Sequence, residues 1–170
     1  LITKIVKSKK TFGYDHSSNI DIAKNLYPQY QFEYIDLNQA NQFEEKFDLI
    51  TCFEVLEHVG NIEAAIDNLI SSSKENSKIV ISVPIETGLI GLIKYLIKRI
   101  FFRYKFELKK SEYSYLISLL LNKNISKYRF KSKHYSSHFG FDFREIDNYL
   151  RRRGVKYTSF FEFTTKYFII

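Results

Sequence analysis

The chain has one cysteine, Cys52, so no internal disulfide can form. Its histidines and that cysteine do not fall at metal-motif spacings, and no metal is expected. Tryptophan and methionine are absent, while Phe, Tyr, Lys, Asn and Ile are frequent. That balance reads as nucleotide bias, so the 17% aromatic content carries no argument by itself. No apolar run approaches the ~20 residues needed to cross a bilayer. The start of the chain has no secretory pattern, and there is no repeat, linker or low-complexity tract.

What is present suits one domain with one core: 170 residues, 45% of them hydrophobic. The net charge of +7 favours anionic partners, although a generally Lys-rich composition produces it equally well. Lone Cys52 is compatible with a reducing compartment.

The hydrophobic pattern alternates between two periods. Residues 1–9 look like the end of a helix, with Ile2, Ile5 and Val6 on one face. Residues 11–15 read as a strand ending in an acid. Ser17 or Ser18 can cap a helix carrying Ile22, Ala23 and Leu26, which Pro28 stops. Residues 31–36 alternate as a strand. Residues 47–53 form a continuous apolar run, expected of a central parallel strand buried on both faces. A helix with Ile62, Ala65, Ile66, Leu69 and Ile70 follows, then a strand over 78–83 ended by Pro84.

Such alternation predicts a doubly wound, mostly parallel α/β sheet whose ligand site lies beyond the carboxyl ends of its strands. Asp15, Asp36, Phe53-Glu54 and Glu86 all fall at those ends. From 88 to 133 the alternation stops. Leu89, Leu92, Ile93, Leu96, Ile97 and Ile100 share one helical face, with Lys94, Lys98 and Lys105 largely opposite. A second helix is expected to present Tyr113, Leu116, Ile117, Leu120 and Leu121. This insertion reads as a lid whose apolar face packs on the domain, or as a basic interfacial helix over 88–105 touching an anionic bilayer. Asp142 and Glu145 then fit a capping box, with Phe141 and Ile146 as its hydrophobic staple. Gly154 ends that helix, and 155–163 and 164–170 read as an antiparallel closing pair.

The run Phe47-Asp48-Leu49-Ile50-Thr51-Cys52-Phe53-Glu54-Val55-Leu56-Glu57-His58-Val59 resembles the fourth strand and following turn of class I S-adenosylmethionine-dependent methyltransferases. Phe12-Gly13-Tyr14-Asp15, Phe32-Glu33-Tyr34-Ile35-Asp36-Leu37 and Ile81-Ser82-Val83-Pro84 resemble the second, third and fifth strands, in the right order. The resemblance covers roughly 1–84 and 139–170. It implies a Rossmann-like fold with S-adenosylmethionine as cofactor. Asp15 would take the ribose hydroxyls, His16 would lie against adenine, and Asp36 and Leu37 would border the base. Phe53 and Glu54 would meet the methionine part. His58 and His138 are the candidate catalytic residues. The family's first strand and Gly-x-Gly loop have no counterpart among the six glycines, so the single domain, 1–170, is expected to be incomplete at its N-terminus.

The expected activity is methyl transfer to a small-molecule, glycan or lipid-linked acceptor, on oxygen. The alternative is a truncated or degenerate domain serving as a non-catalytic binding module. Nucleic acid is not expected as a partner, since no recognised motif accompanies the charge. The expected location is cytoplasmic, with the membrane surface as its variant.

Overall fold

The computed structural model describes residues 8–40, 43–102 and 108–170. The expected helix end over 1–9 and the position of Lys105 lie largely outside them. The described chain forms six strands and five α-helices. They are β1 Phe12–Asp15, α1 Asn19–Leu26, β2 Gln31–Tyr34, β3 Phe47–Phe53, α2 Ile62–Ser71 and β4 Ser73–Pro84. The insertion contributes α3 Gly88–Phe101 and α4 Glu112–Leu120, and the chain closes with α5 Arg144–Arg152, β5 Thr158–Glu162 and β6 Thr165–Ile169.

Each early strand–helix–strand passage yields a parallel pair. β1 pairs with β2, and β3 with β4. The hairpin β5–β6 then adds antiparallel to β4, giving the order β3-β4-β6-β5. This is an α/β fold with a mostly parallel sheet and an antiparallel C-terminal strand, as expected. The two parallel pairs, however, stand as separate sheets. A crevice of about 1010 Å³ runs between β1 and β3. Edge contacts among Phe12, Tyr14, Phe43 and Phe47 bridge part of it.

That split overturns one expectation. The apolar run Phe47–Phe53 is an edge strand, with only Cys52 buried and Leu49 and Phe53 exposed. The strand covered on both sides is β4, where Ile79, Ile81, Ser82 and Val83 are buried. β4 also starts earlier than the sequence suggested, at Ser73, and Asn76 takes a positive φ of 61° where the register against β3 jumps from Ser73 to Lys78. Asn and Gly are the residues that tolerate this region best.

The main core lies between β4, β6 and the helices α2 and α5. Leu56, Ile66, Ile81, Phe141, Ile146, Leu150 and Phe168 are its centre. Phe141 and Ile146 share this cluster, as a staple should. The cap differs from the expected box: Asp142 accepts from the Arg144 main-chain N–H and from its guanidinium, and Glu145 donates its N–H to the Asp142 carbonyl. At α1, Ser18 makes no side-chain cap bond, while Ser17 Oγ accepts from the Asn19 N–H. Ile20 is the buried residue of that helix; Ile22 and Leu26 face solvent.

A second cluster of Tyr95, Tyr115, Leu119, Ile125, Tyr128 and Phe139 joins α3 and α4. Their packing registers differ from the sequence reading. Leu89, Ile93, Leu96, Ile97 and Ile100 of α3, and Tyr113 and Leu120 of α4, are exposed. Gly91 and Tyr95 carry the contact instead. Gly91 is required there, since a Cβ would stand 2.1 Å from the Glu86 carbonyl oxygen.

Candidate functional site

Parallel strands deliver their carboxyl ends to one side, and the loops leaving them carry polar residues to the mouth of the crevice. Asp15 ends β1, Asp36 follows β2, and Glu54 follows β3. These three, with His16, Leu37 and His58, line a single crevice. Its volume matches the upper range of ligand sites. Phe53 is outside that lining and 41% exposed. In a strand successive side chains alternate faces, so Phe53 turns away while buried Cys52 turns in. His138 is behind His58 rather than in the wall.

The β1 side is open. Asp15 Oδ1 accepts from the Ser17 N–H at 2.8 Å, and the side chain remains partly exposed. His16 stacks on His134 at 4.5 Å between ring centroids, with the planes 8° apart. The β2 side is tightly organised. Asp36 is 2% exposed, and both its oxygens are engaged. Oδ1 accepts from the main-chain and side-chain N–H groups of Asn38, and Oδ2 accepts from Gln39 and from Lys133 Nζ at 2.8 Å. Burial pushes this carboxyl up, but the bonds from Lys133, Asn38 and Gln39 win and hold it well below the usual range. Asn38 also accepts through Oδ1 from Gly60 and Asn61, tying the β2 loop to the start of α2. Asn61 in turn caps α2 by accepting from the Ala64 N–H.

After β3 the chain turns sharply. Glu54 adopts φ +51°, a sparsely populated region for a non-glycine residue. Its side chain accepts from Ser82 Oγ. A single 3-10 turn, Leu56–His58, follows. Leu56 is anchored in the core, and Glu57 beside it is buried as well. Glu57 is 0% exposed, and neither carboxylate oxygen has a hydrogen-bond partner among the described residues. Burial pushes its carboxyl well above the usual range. Its own main-chain N–H, His138 and Arg129 pull the other way, and the charge of Glu54 adds to the rise.

His58 Nδ1 lies 2.7 Å from the Tyr135 carbonyl, which can only accept, so Nδ1 carries the proton. His138 Nδ1 faces Glu86 Oε1 at 3.8 Å. Glu86 is buried, yet His138, Lys94 and Lys98 hold its carboxyl below the usual value. Arg129 donates to the carbonyls of Glu57 and Ser137 and lies 3.3 Å over the Tyr135 ring.

The sequence missed Lys133, Arg129 and Asn38 as organisers. Lys133 pairs with Asp36 from a distant loop, Arg129 reaches a carbonyl 72 positions away and Asn38 a main-chain N–H 22 positions away, so no local pattern points to them.

The profile of a methyltransferase domain family matches residues 4–159. A putative methyltransferase, 235L, of Invertebrate iridescent virus 6 is 31% identical over 117 residues, covering 68% of this chain and 44% of the viral protein. The chain thus spans less than half of that relative. A S-adenosylmethionine-dependent methyltransferase of Clostridium acetobutylicum superposes with a TM-score of 0.60 at 14% identity, over 96% of this chain and 75% of its own. Magnesium protoporphyrin IX methyltransferase from Synechocystis, solved with bound SAH, gives 0.54 at 16% identity, over 96% and 64%.

Proposed function

The chain belongs to the methyltransferase domain family, and on that premise we propose that its crevice holds S-adenosylmethionine and that the domain transfers the methyl group to an acceptor oxygen. The observation that carries this reading is the meeting of Asp15, Asp36, Glu54 and His58 on one crevice at the strand ends. Asp15 keeps a half-exposed carboxylate suited to two ribose hydroxyls. His16, stacked on His134, offers a flat face for a purine. Asp36, with both oxygens engaged, positions the loop through Leu37 and Asn38 instead of reaching for the base itself. Methyl transfer from a sulfonium depends mainly on in-line positioning, and the polar group around His58 and His138 lies where an acceptor hydroxyl would be oriented. A small molecule, a glycan or a lipid headgroup fits that role.

The test is calorimetric titration of the protein, in the full length its gene encodes, with S-adenosylhomocysteine. Saturable one-to-one binding is expected, weakened about tenfold or more, equivalent to ~1.4 kcal/mol, by Asp15→Ala. Absence of binding would favour the alternative, a non-catalytic module of the same fold.

A second reading concerns the membrane surface. Leu89, Ile93, Leu96, Ile97 and Ile100 of α3 are exposed together, with Arg99 on the same helix. Apolar exposure beside basic residues suits shallow contact with anionic lipid. Among the described residues no helix is long and apolar enough to cross a membrane. Co-sedimentation with anionic vesicles is expected, and its loss in Ile93→Asp/Ile97→Asp; absence of wild-type binding would remove the idea.

A further inference from the structure

Two adjacent electron-pair donors, Glu57 and His58, meet a third, His138, from a loop 80 positions further on, around the buried Glu57 carboxylate. Glu57 Oε1 lies 3.8 Å from His58 Nε2 and 3.7 Å from His138 Nε2. The two nitrogens are 3.2 Å apart. A buried carboxylate without a hydrogen-bond donor is strongly unfavourable unless a counter-charge or a proton neutralises it. The nearby cation, Arg129, is directed at main-chain carbonyls and leaves both oxygens without a hydrogen bond. Each imidazole also turns its other nitrogen to an acceptor: His58 Nδ1 to the Tyr135 carbonyl and His138 Nδ1 towards Glu86. The two Nε2 atoms and one carboxylate oxygen thus face one another across a gap that a single ion can share. Carbonyl and carboxylate partners on the far nitrogen are also what orients metal-binding histidines.

We propose that Glu57 Oε1, His58 Nε2 and His138 Nε2 form a site for one divalent transition-metal ion. These three residues each bring a possible ligand atom within 4.8 Å of the others. Atoms at the three separations given above share a centre about 2.1 Å from each, inside the range of zinc–nitrogen and zinc–oxygen bonds. Two imidazoles and one carboxylate suit Zn²⁺ or Mn²⁺; Mg²⁺ and Ca²⁺ favour all-oxygen surroundings. His58 lines the crevice, so an open coordination position there would face a bound oxygen. If the methyl-transfer reading holds, and this sentence alone rests on it, the ion would polarise the acceptor hydroxyl while the histidines act as ligands rather than bases.

The test is titration of Zn²⁺ into the tag-free, chelator-treated protein, in competition with a chromophoric chelator and without any S-adenosyl compound. One Zn²⁺ per chain is expected, bound at least about tenfold more weakly by Glu57→Gln and by His138→Ala, since each removes one of three ligands. Zn²⁺ should raise the melting temperature of the wild type and of neither variant. Glu57→Gln keeps the shape of the side chain while weakening its oxygen as a ligand, and a cooperative melting transition without metal shows that the variant folds. No Zn²⁺ binding by the wild type, binding unchanged in both variants, or a preference for Mg²⁺ over Zn²⁺ would each overturn the proposal. Because no cofactor is in the titration, its failure leaves the methyl-transfer reading standing. Failure to bind S-adenosylhomocysteine likewise leaves the metal site standing.

Discussion

His58 and His138, 80 positions apart, bring their Nε2 atoms within 3.2 Å of each other. Neither ring reaches that position by itself. His58 rides on the turn after β3 and is fixed by the Tyr135 carbonyl. His138 comes from the loop before α5, whose Ser137 carbonyl is held by Arg129. The pair is therefore a product of long-range folding, and residues outside it control it.

Arg129 is the first such residue. Its guanidinium joins the Glu57 and Ser137 carbonyls and sits 3.3 Å over the Tyr135 ring. Lysine lacks the planar guanidinium that covers the Tyr135 ring while one of its nitrogens donates to both carbonyls. Arg129→Lys should cost about 2–4 kcal/mol in urea unfolding, from two charge-assisted bonds and the lost stacking. A change below about 0.5 kcal/mol, the size expected of an ordinary surface substitution, would contradict this role.

Asp36 is one source of acid sensitivity. Its folded carboxyl titrates below the ~3.9 of an unfolded aspartate. A depressed value means the contribution is complete above that unfolded value and is lost as pH falls towards the folded one. Asp36→Asn should lower stability at pH 7 by about 1–2 kcal/mol and flatten the decline below about pH 4. Chemical denaturation between pH 7 and pH 3 measures both; an equally steep acid decline in the variant would exclude Asp36 as its source.

Gly60 is where the loop carrying Lys133 presses on the start of α2. A Cβ there would stand 2.1 Å from the Ser132 carbonyl oxygen and 2.6 Å from that of Lys133. Gly60→Ala should push this loop away, cost about 1–3 kcal/mol and loosen the Lys133–Asp36 pair. Thermal unfolding reads the first effect. An unchanged melting temperature would mean the loop yields freely.

Cys52 should be inert in the folded protein. Burial pushes its thiol up to about 12, and the charge of Glu57 adds to the rise. Iodoacetamide at pH 8 should leave it unmodified until denaturant is added. Rapid labelling of the native chain would show that the core around β3 opens.

The periodicity of the sequence made the element order legible, because strands and helices of this fold bury regular faces. It also placed Asp15, Asp36, Phe53-Glu54 and Glu86 at strand ends; the structure brings Asp15, Asp36 and Glu54 to one crevice and leaves Phe53 and Glu86 outside its lining. It misjudged β3, since a continuous apolar run looks the same at an open edge as in a covered centre. It misjudged α3 and α4 because Tyr95 and Tyr115, weak markers in a hydrophobic pattern, form the contact while the aliphatic residues face out. The Glu57–His58–His138 group was invisible as a unit. Its members are joined only when the loop before α5 folds back over the turn after β3.

The central claim, that the crevice at the strand ends receives an S-adenosyl group, is most directly tested by backbone amide NMR of the full-length protein on addition of S-adenosylhomocysteine. Shifts should concentrate at Asp15–Ser17, Asp36–Asn38 and Glu54–His58 and leave α3 unaffected. An unchanged spectrum, or shifts confined to α3 and α4, would contradict it.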